Sequence, residues 1–275
     1  MTPAPFTYYR PTSVADAISL LTEHGDEAKL IAGGHSLLPI MKLRFAAPEV
    51  LIDLGGIDDL DHIRVEGDEI AIGALARHVD LELSDLLRAE APLLAHTAGV
   101  VGDCQIRHRG TFGGSVAHGD PSADLPASLM ALRGTIVVEG PGGRRSIAVD
   151  DFYTGFLETA LEPDELVVEL RVPRVGDAPW GYQKFRRRGI DWAIVGVAYQ
   201  SEPGAGGIGL VNMGPTTLRA SASEAALRSG ASHDEVAALA AEGTSPVGDG
   251  AGSSEYRRHL ARVLLSRALA GRSTT

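Results

Sequence analysis

Two diglycine segments, Ala32-Gly33-Gly34-His35-Ser36 and Thr111-Phe112-Gly113-Gly114-Ser115, hold the residues whose types and spacing point to chemistry. Adjacent glycines let the backbone enter φ > 0 and let a ligand approach the main chain closely. Each segment is followed by a stretch that can begin a helix, where unpaired N–H groups and the helix dipole favour an anion. Thr111 and Ser115 add hydroxyl donors. One such segment is an ordinary strand-to-helix turn as readily as a phosphate cradle. Two in one chain point to a single large anionic ligand gripped at two places, such as a dinucleotide. Better-known phosphate motifs are missing. No G-x-x-x-x-G-K-[ST] occurs, and Gly207-Ile208-Gly209 has Asn212 where a third glycine would stand.

Composition narrows the classes. At 275 residues the chain can bury a large core in about two domains. Lys+Arg 25 against Asp+Glu 36 gives a net charge of −11, which argues against the basic stripe of a nucleic-acid surface. Cys104 is the one cysteine, so no intrachain disulfide forms and a thiolate-held iron–sulfur cluster cannot sit wholly on this chain. Cys104 and His108 are too few to hold zinc. No nucleophile–base–acid constellation stands out, so neither a metal ligand set nor a catalytic residue is assigned. His35, His108 and His118 lie in or beside the glycine segments, where a histidine more often makes a structural hydrogen bond. The N-terminal residues lack a signal-peptide pattern and no run approaches a membrane span of ~20 apolar residues, so a cytoplasmic chain is expected.

The elements that must position these residues follow from periodicity. Strands at Phe6–Arg10, Lys29–Ala32 and Val50–Asp53 alternate with a helix capped by Ser13 or Thr12 and running to His24 and another from Ser36 to Phe45, a small α/β unit over residues 1–54. A second unit, 55–175, contains strands at Ile63–Val65, Ile70–Gly73, Thr135–Glu139 and Leu166–Val172. Its helices are expected at Val79–Leu87 and Glu90–Ala98, with another capped by Asp124 and running to Leu132. A third unit, 176–275, has strands near Tyr182–Arg186, Ala193–Gln200 and Ile208–Asn212. Helices follow at Ala220–Arg228, His233–Ala241 and Tyr256–Ala270, an α+β order, with 243–254 expected as a mobile loop.

These segments resemble the flavin-carrying medium subunit of the molybdenum hydroxylases, which include aerobic carbon monoxide dehydrogenase and the xanthine dehydrogenase family. Ala32-Gly33-Gly34-His35-Ser36-Leu37-Leu38-Pro39, continued by Met41-Lys42-Leu43-Arg44, is similar to that family's FAD-pyrophosphate loop. Gln105 through Ser115 is similar to its second flavin loop, continued by Asp120-Pro121 and Asp124-Leu125-Pro126. Tyr182-Gln183-Lys184 through Asp191-Trp192-Ala193 is similar to the entry to its last domain. Many relatives have Asn where His108 and Ser115 stand and Ile where Phe112 stands.

The resemblance implies an α+β protein with the vanillyl-alcohol-oxidase (PCMH) type of FAD-binding fold, two α/β subdomains followed by a C-terminal α+β domain. It implies that residues 32–36 and 111–115 surround FAD, largely through main-chain amides. Asp124 then matches a carboxylate that bonds the cofactor, and Lys184 a lysine beside the flavin. Leu166 matches a residue against the ring system. Read alone, Asp124 is a helix cap, Lys184 belongs to the basic run with Arg186, Arg187 and Arg188, and Leu166 is core. The implied partners are a small subunit with 2Fe-2S clusters and a large subunit with the molybdenum cofactor, arranged as a dimer of heterotrimers. A free-standing flavin oxidoreductase and a cofactor-less scaffold of the same fold remain as alternatives.

Overall fold

The computed structural model describes residues 2–201 and 207–271. The first unit alternates β1 (Thr7–Tyr9), α1 (Val14–His24), β2 (Ala28–Ile31), α2 (Leu37–Lys42) and β3 (Val50–Asp53). Its three strands lie parallel in the order β1-β3-β2. Ser13 caps α1 by accepting from the Asp16 N–H, and Gly25 ends it with φ 49°. The expected helix to Phe45 stops at Lys42, and Arg44 takes φ 64°, a left-handed conformation that no helix continues through.

The second unit contains β4 (Ile63–Glu66), β5 (Glu69–Gly73), α3 (His78–Leu83), α4 (Asp85–Glu90), α5 (Pro92–Gly99), α6 (Cys104–Arg107), α7 (Phe112–Ala117) and α8 (Asp124–Ala131). It continues through β6 (Thr135–Gly140), β7 (Gly143–Ala148), α9 (Val149–Phe152), β8 (Tyr153–Gly155), β9 (Glu158–Thr159) and β10 (Leu166–Pro173). Five of these strands form an antiparallel sheet, β4-β5-β10-β6-β7. Alternate residues of a strand face opposite sides. Ile136 and Val138 accordingly join the core under α3–α5 and α8, whereas Val137, Leu166 and Val168 pack toward Ile18 and Ile52 of the first unit.

The helix expected over Val79–Leu87 is two helices. Ser84 is extended between them (ψ 115°), and its Oγ accepts from the Leu87 N–H to cap the second. Pro92, at the first position of α5, starts that helix two residues later than expected, a place where a missing N–H costs nothing. The pairing strand β7 went unseen in the sequence because it is exposed and polar, Gly-Arg-Arg-Ser-Ile-Ala.

The third unit is an antiparallel sheet of β11 (Trp180–Phe185), β12 (Val195–Gln200), β13 (Gly207–Val211) and β14 (Leu218–Arg219). Helices α10 (Ser221–Arg228), α11 (His233–Ala238) and α12 (Ser254–Leu269) complete it. The stretch 243–254 is tied down. Buried Arg257 donates to Asp249 Oδ2 (2.7 Å), and Arg258 donates to the Thr244 carbonyl (3.1 Å).

Helix α8 joins the second and third units. Every residue in it is buried, and it packs on β12 and β13. Gly207 and Gly209 permit that approach, since a Cβ at Gly209 would stand 2.0 Å from the Ala127 carbonyl oxygen. Among the described residues no helix is long and apolar enough to cross a membrane.

Gly209→Ala forces the third sheet away from α8. Overpacking of this kind costs about 1–3 kcal/mol. The expected result is a lower urea midpoint with the slope unchanged; an unaltered midpoint would show that the interface yields freely.

Candidate functional site

The two glycine segments both line a cleft of about 610 Å3, within the usual range of cofactor sites, roughly 300–1,000 Å3. Residues 32–36, Thr111, Gly113–Ser115, Asp124, Leu166 and Lys184 line it. Phe112 does not. Its ring is fully buried among the core residues of the second unit, because the first turn of α7 turns it away from the cleft.

The segments touch backbone to backbone. A Cβ at Gly33 would lie 2.3 Å from the Arg109 carbonyl oxygen and 2.8 Å from Gly110 Cα. A Cβ at Gly113 would lie 2.5 Å from that of Ala74. Only Gly34, at φ 74°, uses the conformational freedom expected of all four glycines. The others are glycine for space.

The amides of the two segments differ. The N–H groups of Phe112 and Gly113 donate to the Ala76 and Ala74 carbonyls (both 2.9 Å), that of Gly114 to Thr111 Oγ1 (3.2 Å), and that of Ser115 to the Thr111 carbonyl (3.0 Å). These four donors are spent on the fold, so the second segment offers the cleft its hydroxyls rather than the amides of residues 112–115. The successive N–H groups of Gly33, Gly34, His35, Ser36 and Leu37 have no acceptor among the described residues. A row of such donors makes a concave anion site.

Asp124 is not a cap. It opens α8 as its first residue, with Ala123 before it, and its carboxylate is turned into the protein. Lys184 Nζ donates to Oδ2 at 2.7 Å and Tyr182 Oη to Oδ1 at 2.5 Å. The side chains of Lys184 and Asp124 are 2% and 4% exposed, so this pair is shielded and not a surface contact of small value. Burial pushes the Asp124 carboxyl above the usual carboxylate range, and Lys184, Tyr182 and Arg186 oppose that push. The basic run is therefore divided: Lys184 points inward, whereas Arg187 and Arg188 are exposed.

His78 also lines the cleft and escaped sequence reasoning, since nothing in Ala76-Arg77-His78 marks it. Its backbone N–H donates to the Gly110 carbonyl (3.0 Å), which stitches α3 to the second segment. Its pKa is lowered to about 4, first by desolvation, then by His35 and Arg107. His108 has a local role, its Nδ1 lying 2.7 Å from the Cys104 carbonyl oxygen. Ile190 and Trp192, both more than half exposed, stand at the rim with Leu157.

Comparison with known proteins identifies the family. Residues 4–175 match the family described as the FAD binding domain in molybdopterin dehydrogenase. Residues 180–271 match the CO dehydrogenase flavoprotein C-terminal domain. The carbon monoxide dehydrogenase medium chain of Hydrogenophaga pseudoflava is 41% identical over 98% of this chain and 97% of its own. The 6-hydroxypseudooxynicotine dehydrogenase complex subunit alpha of Paenarthrobacter nicotinovorans is 36% identical over 98% and 95%. A solved structure of H. pseudoflava carbon monoxide dehydrogenase that lacks the Mo-pyranopterin moiety of the molybdenum cofactor superposes with a TM-score of 0.95 at 43% identity, covering 98% of both chains. The chain belongs to the FAD-binding medium subunits of the molybdenum hydroxylases. It is an FAD-binding oxidoreductase component of the kind that includes carbon monoxide dehydrogenase and xanthine dehydrogenase flavoproteins.

The depressed His78 pKa gives a pH dependence of known sign. The neutral ring belongs to the folded state, so the unfolded chain binds more protons between its pKa of ~6.5 and about 4. Stability from this group is complete above ~6.5 and falls by roughly 3 kcal/mol as pH drops toward 4. His78→Gln should flatten that part of the urea-stability profile between pH 4 and 6.5. An unchanged slope would assign the acid lability to other groups.

Proposed function

We propose that this chain carries FAD non-covalently as the middle station of an electron relay. Electrons from a substrate oxidised at a molybdenum cofactor on a large partner reach 2Fe-2S clusters on a small partner. They then pass through FAD to an external acceptor. The row of N–H groups from Gly33 to Leu37, without acceptors among the described residues and in the wall of a cleft of about 610 Å3, is the observation that carries this reading. The single cysteine supports the division of labour, because the relay's clusters need thiolates that this chain lacks.

In this reading the 33–37 amides hold the pyrophosphate, and Thr111 and Ser115 add hydroxyls at the opposite wall. Ala32, His35 and Ser36 shape the first loop, and Leu166 supplies an apolar face. Asp124 and Lys184 set the charge beside the ring. FAD itself supplies the exchange between two-electron and one-electron chemistry. Residues 1–54 and 55–175 form the two halves of the cofactor domain, and 176–275 the third unit that closes it. The subunits assemble as a dimer of heterotrimers.

The natively purified complex should show flavin and iron–sulfur absorbance together with two further chains. A yellow chain active on a small substrate alone would favour a free-standing flavoenzyme, and a colourless chain unable to take up FAD a scaffold. Gly33→Val and Gly113→Val should each lose FAD, because their Cβ atoms have no room. Gly142→Val, where a Cβ meets nothing within 4 Å, should retain it. Stoichiometric FAD in either of the first two would refute the loop assignment.

A further inference from the structure

We propose that Tyr182 is a positioning residue for the redox site: its hydroxyl holds Asp124 as the anion that neutralises Lys184, and so sets the net charge the pair presents to the cleft. The inference rests on the reading of the cleft as the FAD site. Tyr182 is fully buried and does not line the cleft, so its hydroxyl acts on a ligand there through Asp124. Its hydroxyl is 2.5 Å from Oδ1, on the opposite oxygen from the Lys184 ammonium at 2.7 Å. The two donors replace the water that burial has stripped from the carboxylate, and such replacement is what makes a buried charge tolerable.

The proton in the Tyr182–Asp124 contact belongs to the tyrosine. Burial, then the charge of Asp124, pushes the phenol well above its ordinary range. Without the hydroxyl, one carboxylate oxygen loses its donor while burial continues to favour the neutral acid. Asp124 then takes a proton more readily, and the Lys184 charge faces the cleft uncompensated. A net positive charge beside a redox ring favours its electron-rich form.

Arg186 and His96 also act here. Arg186, on the same side, acts on Asp124 and donates to the Val100 carbonyl (3.4 Å), which Lys184 also contacts at 3.2 Å. His96 of α5 stands edge-on to the Tyr182 ring, with centroids 6.5 Å apart. None of them touches Oδ1 in place of the tyrosine hydroxyl among the contacts described.

The test is potentiometric titration of the purified holo-complex between pH 6 and 8, comparing wild type with Y182F, D124N and Y182F/D124N. Y182F should move the flavin equilibrium at fixed potential about tenfold toward the reduced form, some 30 mV for a two-electron couple, and more at low pH. D124N should shift it the same way, and the double variant should match D124N. A merely structural role would make the two shifts additive. Additivity, or an unmoved midpoint in Y182F, overturns the proposal. Where Y182F fails to accumulate, 3-fluorotyrosine at position 182, a stronger donor, should keep Asp124 ionised to lower pH and so displace the low-pH rise of the midpoint toward lower pH; an unchanged pH profile overturns the proposal equally. A wild-type complex without flavin would instead overturn the functional reading beneath it.

Discussion

The contact between Gly33 and the Arg109–Gly110 backbone is the constraint on which the rest of the architecture depends. Two segments more than seventy residues apart in sequence approach until no side-chain carbon fits between them. This brings the parallel sheet of the first unit against the antiparallel sheet of the second, with Leu166 and Val168 filling the space beside Ile18 and Ile52. The cleft is the volume these packed surfaces leave open above that contact.

The third unit is bound in by a different kind of force. Gly207 and Gly209 bring β13 onto the backbone of α8, and Lys184 and Tyr182 of β11 converge on the carboxylate at its start. A shielded pair adds modest net stability when complete, yet losing one partner typically costs about 3–5 kcal/mol through the charge left behind. Arg219 and Arg133 make a second bridge to Glu224 at the far end of the same helix. Helix α8 is therefore clamped at both ends by charge and along its length by close packing.

Much of this was legible in the sequence, for identifiable reasons. Alternating apolar strands and the Ser13–Gly25 punctuation of α1 are local signals, and the glycine segments announced the cleft. What escaped depends on tertiary placement. Ser84 reads as an ordinary helix residue until its hydroxyl is seen capping α4. Asp124 has the position of a cap but the partners of a buried ion pair. Lys184 lies in a basic run of which Arg187 and Arg188 face water while Arg186 is half-buried, and strand alternation alone did not reveal which would turn inward. Phe112 sits inside a ligand-like motif, yet the six-residue helix α7 directs it to the core. The amides of Phe112 and Gly113 looked available because their acceptors, Ala76 and Ala74, lie in a distant segment, and those of Gly114 and Ser115 turn back on Thr111.

The placement of Lys184 bears on where this protein's modules begin and end. The stretch that matches the FAD-binding family stops at residue 175, while the cleft wall continues through Lys184, Ile190, Asp191 and Trp192. The boundary drawn by sequence descent and the boundary drawn by the cavity do not coincide. A chimera joined at residue 175 would inherit the glycine segments of one parent and the inward lysine of another. Its two halves would each be intact as folding units, and the cleft would be a hybrid.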